Sequence, residues 1–351
     1  MAADERCLHA KGFRDFRRQV EQMNAARRNY LHSFLRDPLA RLLIKTLRFS
    51  PWKGFSFSLG IVALSYILRA AIHFGQGGSP TVMGRAVIDC LYDLILVPVT
   101  VGVYIWLSAR LPYVTFALSR NGVRWKPPDG ESRYPAAELH RNILNRASVF
   151  LGALGIMAIL LAIHLVPFRE HHWLWSGHRG EWLVFFLVKF PFTWLVPWYM
   201  VAVVFIKQIL FVLYFRRVFG LAGLKIDLEH PDRCGGLNIF IDYLLRFTYY
   251  LMLCASGIAL LTLRSIRLGY FRRDFLLHAL ILGYIPVCLF FFYFPLHPLR
   301  MRIKGLLGDF RERIRENPRF YLGFVSPGMQ RRFLMVVISP FVFFYLLGIL
   351  L

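Results

Sequence analysis

The chain has 351 residues, 57% of them apolar and 16% aromatic, with 33 phenylalanines, and it sets 43 Lys and Arg against 20 Asp and Glu for a formal charge of +23. Apolar runs of about 20 residues at this composition exclude an ordinary soluble domain and indicate a helical membrane protein. The basic residues are spread between the apolar runs, so they read as a topology signal and as affinity for anionic lipid headgroups, not for nucleic acid.

Residues 1–53 form a basic amphipathic region without a cleavable-signal pattern. Phe13, Phe16, Val20 and Met23 recur at helical spacing, and Tyr30 and Phe34 resume the stripe, which predicts an interfacial helix over 12–36. Asp37-Pro38 ends it, because the residue before a proline is driven from the helical region. A second basic, apolar stretch over 39–53 leads to the membrane.

The remainder, 54–351, predicts an all-α polytopic bundle of seven spans: 55–75, 86–109, 147–168, 182–215, 237–262, 274–297 and 333–351. Lys and Arg number 12, 7, 4 and 9 in the N-terminal region and alternate connections, against 1, 2 and 4 in the others. The positive-inside rule then puts the N-terminus and the connections 110–146, 216–236 and 298–332 in the cytoplasm, and the C-terminus outside. The fourth span is too long for a hydrocarbon core of about 30 Å. Either Pro191 and Pro197 break it or its end projects into the cytoplasm, and Lys207, Arg216 and Arg217 favour projection. The sixth span continues likewise beyond Pro298 on the stripe Leu299, Ile303, Leu306, Phe310 and Ile314. A cytoplasmic helical layer is therefore expected. Asn121-Gly122 and Pro127-Pro128-Asp129-Gly130 are turn signals, consistent with a short hairpin or ordered loop within 111–135.

One connection holds more than basic residues. Asp227, Glu229, His230, Asp232 and Cys234 crowd into eight positions, framed by Pro231 and Gly235-Gly236, which is the composition of a shaped loop. The donor types suit a metal, but the usual ligand spacings and a second ligand-bearing element are absent, so we expect no metal and no cofactor. A candidate functional loop that caps the fifth span through Asp232 or Asn238 is the better reading. His171, His172 and His178 in the outer loop 169–181 are read as solvated, and the nearby tryptophans as an aromatic belt. The five cysteines show no metal-type pairing and predict no disulfide.

The pattern His230-Pro231-Asp232-x-x-Gly235-Gly236-Leu237 ahead of an apolar span resembles a group of uncharacterised bacterial multi-spanning proteins. That resemblance implies a bacterial inner (plasma) membrane and no particular activity. Seven spans with an inner N-terminus and extended cytoplasmic helices are also similar in layout to the insect olfactory-receptor class of ion channels, an analogy of topology alone.

Charges inside spans are costly unless paired or wetted, and so mark function or structural clamps. Arg69, Asp93 and Lys189 fall at a common depth, about 10 Å below the outer boundary at 1.5 Å per residue. Asp89 shares a helix face with Asp93, and His164 and His278 lie just above. Together they predict an outer polar cluster. Lys207, Asp242 and Arg246 form an inner set. These charges make an ion channel or transporter the first reading, with a possible homo-oligomer as its assembly. A membrane-embedded enzyme using the 227–234 loop is the second, and a scaffold or sensor binding a cytoplasmic partner or anionic lipid is the third.

Overall fold

The computed structural model describes residues 37–75, 87–120, 124–125, 144, 146–170, 185–220, 224–225, 237–267, 283–301 and 327–350. The elements are α1 (Pro51–Gly75), α2 (Val87–Arg120), β1 (Arg124–Trp125), α3 (Ala147–Glu170), α4 (Val196–Gly220), β2 (Leu224–Lys225), α5 (Asn238–Arg267), α6 (Ile285–Tyr293) and α7 (Pro327–Leu350). A π-helix, Phe185–Leu195, leads directly into α4. A helical turn at Pro38–Ala40 and a π-helical stretch at Arg41–Thr46 precede α1. The described residues are thus overwhelmingly helical, as the apolar runs require. Four helical stretches are long and apolar enough to cross a membrane: Pro51–Ile72, Asp93–Leu111, Phe190–Gly220 and Asn238–Ser256.

Pro191 does not break the fourth run, which is helical from 185 to 220. Proline lacks the amide hydrogen and crowds the carbonyl of the preceding turn. The wider π-helical turn around Pro191 is one of the few ways a helix absorbs such a residue without stopping. The helix of the second run continues past the span end expected at 109, into the 110–146 connection, as far as Arg120. Arg110 and Pro112 disguise this in the sequence, but Leu111, Val114 and Leu118 keep the helical stripe and are all buried. The sixth run is not one continuous helix. It turns over 294–296, where Pro295 interrupts it and the Leu296 amide donates to the Tyr293 carbonyl at 3.1 Å.

α2 and α5 lie at the centre. α2 packs against α1, α4 and α5, while α5 also meets α6 and α7, and α3 lies along α4. Burial follows this order: 17% of the apolar window of α1 is buried, against 56% of that of α5. Leu64 and Ile67 of α1, Leu151 and Ile159 of α3, and Leu334 and Met335 of α7 are left exposed, as lipid-facing side chains would be. Where α4 meets the start of α5, Phe211, Phe215 and Phe219 surround Phe240 at ring distances of 5.5, 4.9 and 5.3 Å. α4 is therefore held by aromatic packing along its C-terminal half, the part expected to project.

Residues 37–49 pack with the bundle. Ala40 and Leu43 are in the core, and Asp37-Pro38 opens a helical segment instead of only closing one. The Asp37 side chain caps it, accepting from the Leu39 and Ala40 amides at 3.2 and 3.4 Å, and Pro38 stands at the first helical position, where no amide is needed. The chain reverses at Arg48, which takes φ 52, and Ser50 then caps α1 by accepting the Lys53 amide at 3.2 Å.

β1 and β2 pair antiparallel, Arg124 opposite Lys225 and Trp125 opposite Leu224. The strand after Asn121-Gly122 thus finds its partner in the α4–α5 connection, not in a local hairpin. The interfacial helix over 12–36, the histidines of 169–181, the loop of 226–236 and the stripe over 303–314 lie outside the described residues.

Candidate functional site

The most buried charge among the described residues is Asp37, 1% exposed. Its Oδ2 lies 3.1 Å from Nζ of Lys207 on α4, whose side chain is 14% exposed. The same ammonium sits over the Phe150 ring of α3 at 5.3 Å. The hydroxyls of Tyr104 on α2 and Tyr199 on α4 lie near the Asp37 carboxylate. The Tyr104 hydroxyl, in a residue 1% exposed, nevertheless completes no hydrogen bond among the described residues. The next residue of α4, Gln208, accepts the Tyr243 hydroxyl at 2.8 Å and ties α4 to α5. Three helices and the 37–46 segment thus meet around one ion pair.

A second polar station lies between α1 and α2. Asp93 is 2% exposed and its Oδ2 accepts the Tyr66 hydroxyl at 2.7 Å. Arg69, half-buried, follows Tyr66 by one turn on α1. Asp93 and Tyr104 are 11 residues apart on α2, just over three whole turns, so both fall on one buried face about 16 Å apart. Buried Val97 and Val101 stand between them.

The inner set divides. Asp242 and Arg246 pair with each other along α5 at 2.8 Å, 37% and 46% exposed, and the Arg246 guanidinium also lies over Trp106 at 5.6 Å. The ion pair of Lys207 goes to Asp37 instead. Asp89 precedes Asp93 by one turn of α2, His164 lies in α3, and Lys189 lies in the π-helix before α4. Asp227, Glu229, His230, Asp232, Cys234 and His278 lie outside the described residues. Among the described residues no group of three or more His, Cys, Asp or Glu could hold a metal ion.

Sequence reasoning passed over Asp37, Tyr104 and Tyr199. A signal for the first was present: Asp37 is the sole carboxylate between Glu21 and Asp89, in a stretch crowded with basic residues. The tyrosines carried no such mark in a chain with 16 of them. Comparison with protein-family models, with curated proteins and with solved structures yields no match.

Proposed function

We propose that this chain is an ion channel or transporter of the plasma membrane, crossing it seven times with its N-terminus inside and its C-terminus outside. The observation that carries this reading is a buried face of α2 with Asp93 near one end, Tyr104 and the Asp37–Lys207 pair toward the other, and the apolar Val97 and Val101 between. Two polar stations separated by a short apolar step are what a conduction path through a bundle needs, since charges are tolerated at such depth where they are paired or wetted. An apolar constriction of this kind gates by excluding water.

The topology draws support from the β pairing, because the connections after α2 and after α4 meet and must share a side of the membrane. These are two of the connections that the basic residues assign to the cytoplasm. The exposed Arg216, Arg217, Arg331 and Arg332 near the same side suit anionic lipid headgroups.

Ion flux in liposomes reconstituted with the purified protein tests the reading. Flux above that of protein-free liposomes is expected, and Val97→Asp, which wets the apolar step, should raise it severalfold. Absence of flux for any small ion from folded protein, with Val97→Asp equally silent, rejects it.

A further inference from the structure

The side chains that α2 and α4 bring to Asp37 are all hydrogen-bond donors. Lys207 supplies an ammonium with three N–H groups and no acceptor, and Tyr104 and Tyr199 each present a hydroxyl. The anion they surround is not part of those helices but is brought by the separate 37–46 segment. That segment is joined to α1 through the reversal at Arg48 and seated by Ala40 and Leu43.

Asp37 fills this place imperfectly. Its Oδ1 accepts from its own segment at the Leu39 and Ala40 amides, and its Oδ2 goes to Lys207. The cap ties the carboxylate to the main chain, and the buried Tyr104 hydroxyl beside it lacks a well-formed hydrogen bond among the described residues. A free carboxylate has no such tether and can accept from the ammonium and both hydroxyls at once. The approach is electropositive, since Arg41, Lys45, Arg48 and Lys53 are exposed around the same segment.

We infer that Lys207, Tyr104 and Tyr199 form a binding site for a small monocarboxylate anion, which Asp37 occupies as the chain's own carboxylate. Entry of the free anion displaces Asp37 and lifts the 37–46 segment from α2 and α4. Calling that anion a transported species rests on the transport reading above, whereas the site itself does not.

The test uses purified full-length protein with sodium acetate as probe and sodium chloride at matched ionic strength as control, and needs no flux. Asp37→Ala should lower the thermal midpoint, and acetate should restore at least half of the loss where chloride does not. Restoration must vanish when Lys207→Met is added. A second arm stands whether or not Asp37→Ala folds. In otherwise native protein carrying Ala40→Cys, acetate should speed reaction with an impermeant maleimide severalfold, and Lys207→Met should abolish the acetate dependence. Ala153→Cys, buried on α3, should stay unreactive throughout. Equal effects of acetate and chloride, or no acetate effect in the labelling arm, overturn the proposal. A silent flux assay beside a positive result here would reject transport alone.

Discussion

Two ion pairs of nearly equal length sit in very different surroundings. Asp37 and Lys207 meet at 3.1 Å with side chains 1% and 14% exposed, while Asp242 and Arg246 meet at 2.8 Å with 37% and 46% exposed. The shorter bond is the weaker constraint. In the open, attraction is screened and set against the entropy of holding two long side chains. Inside the bundle each charge has given up its solvation, so its partner becomes a necessity. The exposed pair also joins neighbours on one helix, whereas the buried pair spans 170 residues and fastens an otherwise separate segment to α4.

The largest expected effect comes from breaking the buried pair on one side. Asp37→Asn keeps a capping oxygen and loses the charge. Lys207→Met keeps the aliphatic length and loses the charge. Each should cost about 3–5 kcal/mol of unfolding free energy in detergent, the usual result of stranding a buried charge. The double variant should cost less than either single one, because no charge is then left alone. Asp37→Ala should cost about 1 kcal/mol more than Asp37→Asn, the contribution of the lost cap. Additive single effects would show that the two groups do not depend on one another.

This pair also marks how far the sequence could be read. The helical class and the apolar runs were legible because lipid demands long, internally bonded helices with apolar surfaces. That logic identifies α1, α2, α4 and α5 directly. It did not show how far α2 runs past its apolar span, where burial of Leu111, Val114 and Leu118 outweighs an arginine and a proline, or that Pro295 interrupts the sixth run. Depth counting placed Asp93 and Arg69 together, and the structure seats Asp93 against Tyr66, one turn from Arg69. Depth counting could not find Asp37. It reaches Lys207 from outside the helices, through a segment whose docking depends on a reversal at Arg48 that no periodicity announces.

An intermediate case sharpens the comparison. Asp93 is as buried as Asp37, but its contact with Tyr66 is a hydrogen bond from a neutral hydroxyl. Hydrogen bonds to charged groups contribute about 1.5–3 kcal/mol, so Tyr66→Phe should destabilise by that amount, below the cost of Lys207→Met. In an Asp93→Asn background the same substitution should matter less. The coupling energy from this cycle, measured by thermal unfolding, ranks the station between the two ion pairs. Coupling near zero would mean that the Tyr66 hydroxyl does not hold Asp93.

The smallest effects belong to the exposed pair, and they separate its two components. Asp242 precedes Arg246 by four residues, the orientation that the helix dipole favours, and such pairs contribute about 0.3–0.5 kcal/mol. Arg246 also lies over Trp106, and a cation over an exposed ring adds about 0.5–1 kcal/mol. Asp242→Asn should therefore shift stability by no more than about 0.5 kcal/mol, and Arg246→Gln by up to about 1.5 kcal/mol. Salt divides the contributions. At 1 M the screening length falls to about 3 Å, so the cost of Asp242→Asn should disappear. Most of the cost of Arg246→Gln should survive, because the guanidinium also covers apolar surface. A salt-resistant loss above about 2 kcal/mol for Asp242→Asn would place this pair with buried ones. Lipid, not water, would then surround that face of α5.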